Sequence, residues 1–483
     1  MPLSGRIKRR LKHVVGSEGF VTGQAALKVY ECDGYTLERA RPELVLLPDS
    51  TQQVSRVLAI LAQADLPFVP RGAGTGVSGG CLPLEIPVMI GTSRMKRVRS
   101  IDVENRTVEV EAGVVNLEVS RQVSAHGLYY APDPSSQSAC TIGGNIAENS
   151  GGPHTLKYGV TVNHLLAIEM VLANGEVVNL TRPAAAASAG GATGTGYDLA
   201  GLATGSEGTF GIITAATLRL LVKPEGVSTL LAVFPSVVEA SRAVSAIIAA
   251  GIIPAALEMM DAMVIEAVEE AYHFGFPREA GAVLIIELDG LKAGLDEAGD
   301  RIIEACHRAG ASQVRRMADE KERQLLWKSR KRAFGAMGRL APSYCTQDGV
   351  VPRSRMADIV EKIAQVADKY SLKIATLAHA GDGNIHPLVL YDDKNDEEIK
   401  RVLAAGREIL EACLELGGSV TGEHGIGIEK IDLMPAAFSN EAIEAMADVK
   451  EAFNPDGRCN PGKVFPDNRV CVEVTRPRPR GGG

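Results

Sequence analysis

The run Arg71-Gly72-Ala73-Gly74-Thr75-Gly76-Val77-Ser78-Gly79-Gly80 decides how the first half of the chain reads. Gly74, Gly76 and Gly79 satisfy G-x-G-x-x-G, but the context of a dinucleotide-binding turn is missing. Such a turn opens a helix, whereas Pro83 and Pro87 follow here within a few residues. Arg94, rather than an acid, stands twenty residues after Gly74. No Gly-Lys-Ser/Thr closes the run, so it is not a Walker A loop. What remains is an anion cradle, because successive backbone N–H groups with no Cβ in the way can ring a pyrophosphate oxygen. Three further glycine-rich segments share that character. They are Cys140-Thr141-Ile142-Gly143-Gly144-Asn145 with Gly151-Gly152, Gly205-Ser206-Glu207-Gly208-Thr209-Phe210-Gly211, and Asn460-Pro461-Gly462-Lys463. One such segment reads as a turn; four together read as a nucleotide site.

Around these loops, residues 44–222 alternate short β-branched runs (66–69, 88–90, 108–110, 168–172) with helical stretches (52–64, 117–125). Segment 183–206 is rich in Ala, Gly and Pro without periodicity and reads as a loop. After Pro224 the character changes. Phe234-Pro235-Ser236 opens a helix through Ala250, 283–288 reads as a strand and 296–309 as a helix. A polar helical stretch runs to Arg332, and strand–helix–strand then continues through Val351, 356–370 and 374–377. Met259, Met260 and Met263 sit at helical spacing and read as core filler. This is α+β or α/β layering with a domain boundary near 222–226.

Composition narrows the function. The 483 residues carry 51 Lys+Arg against 59 Asp+Glu, a net charge of −8, which argues against a dedicated nucleic-acid binder. Hydrophobic residues at 45% and charged residues at 23% are ordinary for a globular protein. The one basic run, Arg6, Lys8, Arg9, Arg10 and Lys12, has no apolar segment after it and reads as a solvated helix, at most a peripheral membrane contact. The best apolar window, 244–257, is broken by Gly251 and Pro254 and is too short to span a bilayer. Eight scattered cysteines form no C-x-x-C, so neither a disulfide framework nor a cysteine metal site is expected. A cytoplasmic location follows.

The run from Pro70 to Gly76, Pro132-Asp133-Pro134-Ser135-Ser136 with Thr141 to Asn145, and Thr204 to Gly208 resemble the FAD domain of the vanillyl-alcohol oxidase / p-cresol methylhydroxylase superfamily. The resemblance covers roughly residues 40–467. It is strongest to the FAD-linked subunits of bacterial glycolate oxidases and to the D-lactate and D-2-hydroxyglutarate dehydrogenases. The stretch from Pro132 to Gly159, with Pro153-His154-Thr155-Leu156-Lys157-Tyr158-Gly159, is specific to that group. It implies an α+β fold: a PCMH-type FAD-binding domain of two subdomains (41–223), preceded by a helical segment (1–40). An α+β cap with the substrate and metal site would follow (224–440), then a C-terminal segment returning to the FAD domain (441–467) and a disordered tail (468–483).

By the same resemblance Arg71, Gly72, Ala73, Gly74, Thr75, Gly76 and Gly79 hold the FAD pyrophosphate. Pro132, Asp133, Pro134, Ser135, Thr141, Gly143, Gly144 and Asn145 line the flavin, with Gly151, Gly152 and Tyr158 beside them. Glu207, Gly208, Gly211 and Ile212 take the adenosine side, and Asn460 closes the site. Some relatives attach the flavin through a His at the place of Thr75; Thr has no ring nitrogen to alkylate, so FAD is expected to be non-covalent.

The stretch Lys373 to Leu390 carries the second signal. It reads strand, turn, strand, centred on Asp382-Gly383, a preferred type I′ pair. In a two-residue hairpin centred there, His379 and His386 face each other with Cβ atoms about 4.5–5.5 Å apart, suited to converging on one cation. Glu423 and His424, framed by glycines in Gly422-Glu423-His424-Gly425, supply a carboxylate and a third imidazole. The resemblance assigns His379, His386 and Glu423 as metal ligands and His424 as the base that takes the substrate hydroxyl proton. Two His and a carboxylate also suit Fe(II); zinc is the choice the resemblance implies. Arg330, in Trp327-Lys328-Ser329-Arg330-Lys331-Arg332, matches the family's carboxylate-binding arginine. Some D-2-hydroxyglutarate enzymes add a lysine in the next strand, which here reads Tyr344-Cys345-Thr346-Gln347-Asp348 without one.

The implied reaction is oxidation of a small 2-hydroxy acid, glycolate or D-lactate, with hydride passing to flavin. Electrons would go on to an iron–sulfur partner subunit and the respiratory chain, alongside a second flavin subunit. Through such partners the chain could lie peripherally at the inner membrane. The alternatives are a D-2-hydroxyglutarate-type dehydrogenase acting alone, a non-catalytic flavin relay, and a metal-assisted hydrolase with a structural nucleotide.

Overall fold

The computed structural model describes residues 3–183 and 196–466; the expected disordered tail, and residues 184–195 of the expected loop 183–206, lie outside the described residues. Within that loop 199–203 form a short helix, Leu199–Ala203, capped by Asp198, whose carboxylate accepts from Gly201 N. Loop composition hid this helix because four of its five residues are Ala or Leu with no polar period to read.

Three large sheets, beside a two-stranded pair of Leu128–Tyr129 and Leu221–Val222, organise the described residues. The first orders strands Phe20–Val21, Leu44–Leu46, Val88–Gly91 and Phe68–Arg71, the last three running parallel. Parallel pairing needs a crossover, and helix Thr51–Gln63 supplies it, burying Val54, Val57, Leu58 and Leu61. Helix Gly5–Val15 buries only Leu11 and Val15; its basic residues face outward except Lys8, which bonds Glu43. The second sheet is antiparallel: Val98–Asp102, Thr107–Glu111, Gly211–Arg219, Leu165–Leu172, Val177–Thr181.

The third, of eight strands, begins with Gly226–Phe234. It runs Gln313–Arg316, Gly226–Phe234, Ala282–Gly290, Ala256–Asp261, Lys373–His379, Asn384–Tyr391 and Ser343–Thr346, with Gly349–Val350 also pairing the sixth. Both faces are covered, so its strands read as unbroken apolar runs. Leu230, Ala232 and Phe234 point into one core with helices Val237–Ala249, Leu295–Arg308 and Met356–Tyr370. Leu231 and Val233 point into the other with Ala262–Tyr272 and Glu320–Ala336. Met259 and Met260 are buried on strand Ala256–Asp261, and only Met263 is helical. The helical spacing of the three is therefore corrected, although they do fill the core. Opposed faces of a central strand need two adjacent apolar residues, and that doublet imitates a helical step.

The C-terminal residues return to the first sheet: Cys459 bridges Phe68, Phe68 N donates to Arg458 O at 3.0 Å, and Asn460 N to Phe68 O at 2.9 Å. No helix among the described residues is long and apolar enough to cross a membrane.

Candidate active site

Two adjoining cavities lie where the sheets meet. The narrower, about 80 Å³, is lined by Arg71, Gly72, Gly80, Gly143, Gly144, Glu207, Gly208, Gly211 and Ile212. The wider, about 570 Å³, is bounded on one side by Gly72, Ala73, Gly74, Thr75, Gly76, Pro134, Ser135, Thr141, Gly144 and Asn145. On the other side stand Lys331, Phe334, Tyr344, Glu423 and His424. The glycines divide by job. A Cβ at Gly74 would lie 2.1 Å from Arg71 Nη2 and one at Gly208 2.4 Å from Pro70, so these let chain pack on chain. At Gly76, Gly80 and Gly144 the nearest atom would be 3.9, 3.3 and 3.4 Å away, and those three present bare backbone to the cavities. A two-part cavity walled by exposed amides fits a dinucleotide.

Other sequence-predicted residues stand behind the walls. Pro132 O accepts from Asn116 Nδ2 at 3.1 Å, and Asp133 pairs with His154 Nδ1 at 2.9 Å. Gly79 packs on Ile428, Gly152 on Asp133, and Gly151 is so close to Glu423 that a Cβ would lie 2.7 Å from Oε2. Tyr158 does not reach either cavity; its hydroxyl donates to Asp289 of the third sheet at 2.6 Å. Asn460 clamps two loops, its Nδ2 donating to Gly80 O at 2.9 Å and Glu207 O at 2.7 Å.

Behind the far wall, the strands Lys373–His379 and Asn384–Tyr391 deliver two buried imidazoles, which line neither cavity. Their register differs from the expected one: His379 pairs with Asn384 and His386 with Leu377, around a four-residue loop 380–383. His379 and His386 are thus diagonal rather than opposed. A slip of two keeps both on one face, and their rings meet edge-on at 5.0 Å. Glu423 Oε1 lies 3.3 Å from His379 Nε2 and 3.5 Å from His386 Nε2. Ligands about 2.0–2.1 Å from a tetrahedral ion stand about 3.4 Å apart, so this donor set fits such an ion. Behind it, His379 Nδ1 donates to Glu258 Oε1 at 2.7 Å, which turns Nε2 toward Glu423. The two carboxylates outweigh burial and raise His379 well above its usual range, so an ion would bind Nε2 by displacing its proton.

Charge is balanced by pairing. Burial opposes ionisation of Glu423, yet His379 and His386 hold it well below the usual carboxylate range. Burial lowers His424 to about 4 against the opposing pull of Asp348, so its imidazole is neutral near pH 7. His424 stacks on His386 at 4.9 Å. Arg330, fully buried, faces Glu258 with Nη2 2.7 Å from Oε2; neither that Nη2 nor Nε makes a well-aligned hydrogen bond. Arg330 therefore stands behind the cavity wall, and Lys331 is the cation that lines it.

Three acids escaped the sequence reading. Glu258 is the one acid inside the apolar strand Ala256–Asp261, whose end residue Asp261 caps the next helix, a signal in itself, since a buried charge demands a partner. Glu148 lines both cavities and is raised well above its usual range by burial and then by Glu207. Asp348 lies beneath the Glu423–His424 loop.

The comparisons agree with this architecture. The FAD-binding domain profile matches residues 42–181, and that of the C-terminal domain of FAD-linked oxidases matches 223–464. The glycolate oxidase subunit GlcD of Escherichia coli K12 is 46% identical over 96% of this chain and 91% of its own. That of Bacillus subtilis is 41% identical over 95% and 96%. A mitochondrial cytochrome-linked D-lactate dehydrogenase of Arabidopsis thaliana is 31% identical over 89% and 74%. Among solved structures, p-cresol methylhydroxylase shares the fold with a TM-score of 0.80 at 17% identity, over 95% of this chain and 96% of its own. The 4-ethylphenol oxidase of Gulosibacter chungangensis scores 0.77 at 18%, over 96% and 97%. A PCMH-type flavin domain joined to the matching C-terminal domain, in the same order and over nearly the whole length, makes the chain an oxidoreductase and a member of the FAD-linked oxidases, alongside the glycolate oxidase subunits and D-lactate dehydrogenases.

Proposed function

We propose that the chain oxidises a small 2-hydroxy acid, glycolate or D-lactate, to the 2-oxo acid. The observation that supports this most is that one cavity carries both the glycine cradle and the Glu423–His424 loop. Bound non-covalently, FAD supplies a two-electron acceptor, and a divalent ion, zinc in this reading, held by His379, His386 and Glu423 supplies a Lewis acid for the substrate oxygens. His424, neutral and at the cavity wall, takes the hydroxyl proton at Nε2. Arg330 is the carboxylate clamp that the resemblance implies, with bidentate geometry as the reason for arginine; paired with Glu258 behind the cavity wall, it would have to turn from that acid to reach the substrate. Phe334 and Tyr344 line the space above the cradle, where with substrate bound they would exclude water. The α-hydrogen leaves with both bonding electrons, so acid plus oxidant yields oxo acid plus reduced cofactor and the proton on His424. The electrons then pass to an iron–sulfur partner, with a second flavin subunit in the assembly. That assembly would hold this chain in the cytoplasm, at the inner membrane surface.

One observation favours a second reading. Lys331 lines the cavity and could take a distal carboxylate, as a dicarboxylic 2-hydroxy acid would need. Anaerobic visible spectra before and after glycolate, D-lactate and D-2-hydroxyglutarate separate these outcomes. Bleaching by the small acids supports the first reading, and bleaching by the dicarboxylate alone supports the second. Yellow enzyme that no acid bleaches would mean a relay subunit.

A further inference from the structure

Asp348 sits between strands Ser343–Thr346 and Gly349–Val350 and is fully buried. Its two carboxylate oxygens live in different worlds. Oδ2 is saturated: it accepts from Thr421 Oγ1 at 2.6 Å and from the backbone N–H of Gly422, Glu423 and His424 at 2.9, 3.2 and 2.9 Å. Lys430 Nζ, 3.5 Å away, balances the charge. Oδ1 has no hydrogen bond at all. Two other buried atoms nearby share that condition, His386 Nδ1 and His424 Nδ1. Oδ1 lies 3.9 Å from His386 Nδ1, and Asp348, His386 and His424 bring ligand-type atoms within 4.8 Å of one another.

Three buried orphans each carry an uncompensated desolvation cost. A carboxylate oxygen has lone pairs for two N–H donors, and from 3.9 Å at His386 a shift of about 1 Å, or one bridging water, makes the bond. A second cation among the same three groups is the less favoured solution. It would make the His386 ring bridge two ions and would sit beside the Lys430 ammonium.

We propose that Asp348 is a positioning residue that holds both His386 and His424 as Nδ1–H tautomers, so that one carboxylate aims the ligand lone pair of the first and the basic lone pair of the second. A proton on each Nδ1 leaves each Nε2 bare. For His386 that atom faces Glu423; for His424, on the reading given under Proposed function, it faces the substrate hydroxyl. The other oxygen meanwhile holds the backbone that carries Glu423 and His424. Ligand, ligand and base thus take their orientation from one side chain.

The test uses the full-length chain labelled with ¹⁵N-histidine. Two-bond proton–nitrogen correlation spectra distinguish the tautomers, with His386→Gln and His424→Gln giving the assignments. Both rings are expected as Nδ1–H. In Asp348→Asn the amide oxygen keeps the backbone donors and its NH₂ points at the imidazoles, which turns both rings to Nε2–H. Zinc affinity should then fall about 10- to 100-fold with flavin content retained. Thr421→Val removes one bond to Oδ2 and the acceptor of Gly425 N but leaves Oδ1 untouched, so its zinc affinity should stay within about threefold of wild type. Nε2–H rings in the wild-type chain, equal zinc loss in both variants, or two zinc ions per chain would each overturn the proposal. The wild-type spectrum decides even if Asp348→Asn does not fold. Nδ1–H rings in a chain whose flavin no 2-hydroxy acid bleaches would retain the positioning role and remove the functional reading instead.

Discussion

His154 joins the flavin-side loop to the third sheet, and its charge makes that joint pH-dependent. Its Nδ1 meets Asp133 at 2.9 Å and its Nε2 meets Glu287 at 3.2 Å. Burial works against the imidazolium, but the two carboxylates outweigh it and raise His154 from 6.5 to about 10. Glu287 is held in turn at about 2: burial opposes its charge, while His154, Trp327 and Thr229 outweigh that. For a group raised in the folded state, stability is fully present below the unfolded value and lost as pH climbs to the folded one. At about 1.36 kcal/mol per pH unit, His154 contributes a ceiling of about 5 kcal/mol below pH 6.5 and about 1.4 kcal/mol at pH 9. His154→Gln should therefore destabilise the chain more at pH 6 than at pH 9, by about 3–4 kcal/mol. Urea unfolding followed by the single tryptophan is the assay, and it is local, since Trp327 stacks on His154 at 5.5 Å and donates Nε1 to Glu287 at 2.5 Å. A wild-type-minus-variant difference that stays flat between pH 6 and 9 would show a neutral imidazole and refute the reasoning.

Glu258→Gln keeps volume but strips the charge shared by Arg330 and His379, each 2.7 Å away. It should lower stability by about 3–5 kcal/mol and weaken zinc binding about 10- to 100-fold, read by thermal melting and by metal titration; unchanged affinity would remove Glu258 from the metal's support. With Thr75 facing the wider cavity, acid precipitation should release all the flavin into the supernatant. Colour retained in the pellet would mean another residue forms a covalent link.

The hairpin shows what could be read from sequence and what could not. Alternation put His379 and His386 on one face, and the face survived because side chains repeat every two residues. The turn did not follow its local dipeptide. Gly383 has φ +88°, and a Cβ there would lie 2.0 Å from Val351 O. His379 O accepts from both Asp382 N and Gly383 N, closing a four-residue loop under the neighbouring strand Gly349–Val350. Asp-Gly was therefore chosen by a contact across the sheet, which no local rule contains. The acids that support the site were hidden for the same reason. Glu258 and Asp348 each belong to segments whose partners are remote in sequence: His379 is 121 residues from Glu258, and Gly422 is 74 from Asp348. The cradle glycines were legible as a group, but which pack on chain and which face the cavity depends on Pro70, Arg71 and Ile428.

Oxidation across two domains requires donor and acceptor to be fixed within fractions of an ångström, and loops alone do not give that precision. Here the loop 421–428 is pinned from both sides. Glu207, from the cradle, accepts Ile426 N and Gly427 N at 2.6 Å each, and Ser78 O accepts Ile428 N at 2.9 Å. Ser78 Oγ donates to His424 O at 2.9 Å, while Asp348 binds three amides from the third sheet's side. These contacts require Gly427: at φ +53° its Cβ would lie 2.0 Å from Ser78 O. Glu423 and His424, the proposed metal ligand and the proposed base, are therefore anchored to the same strand-loop that forms the cradle. Displacing the cradle by a given amount displaces Glu423 and His424 with it, so on the proposed reaction the distance that matters for hydride transfer is set within one bonded cluster rather than across a domain interface free to slide.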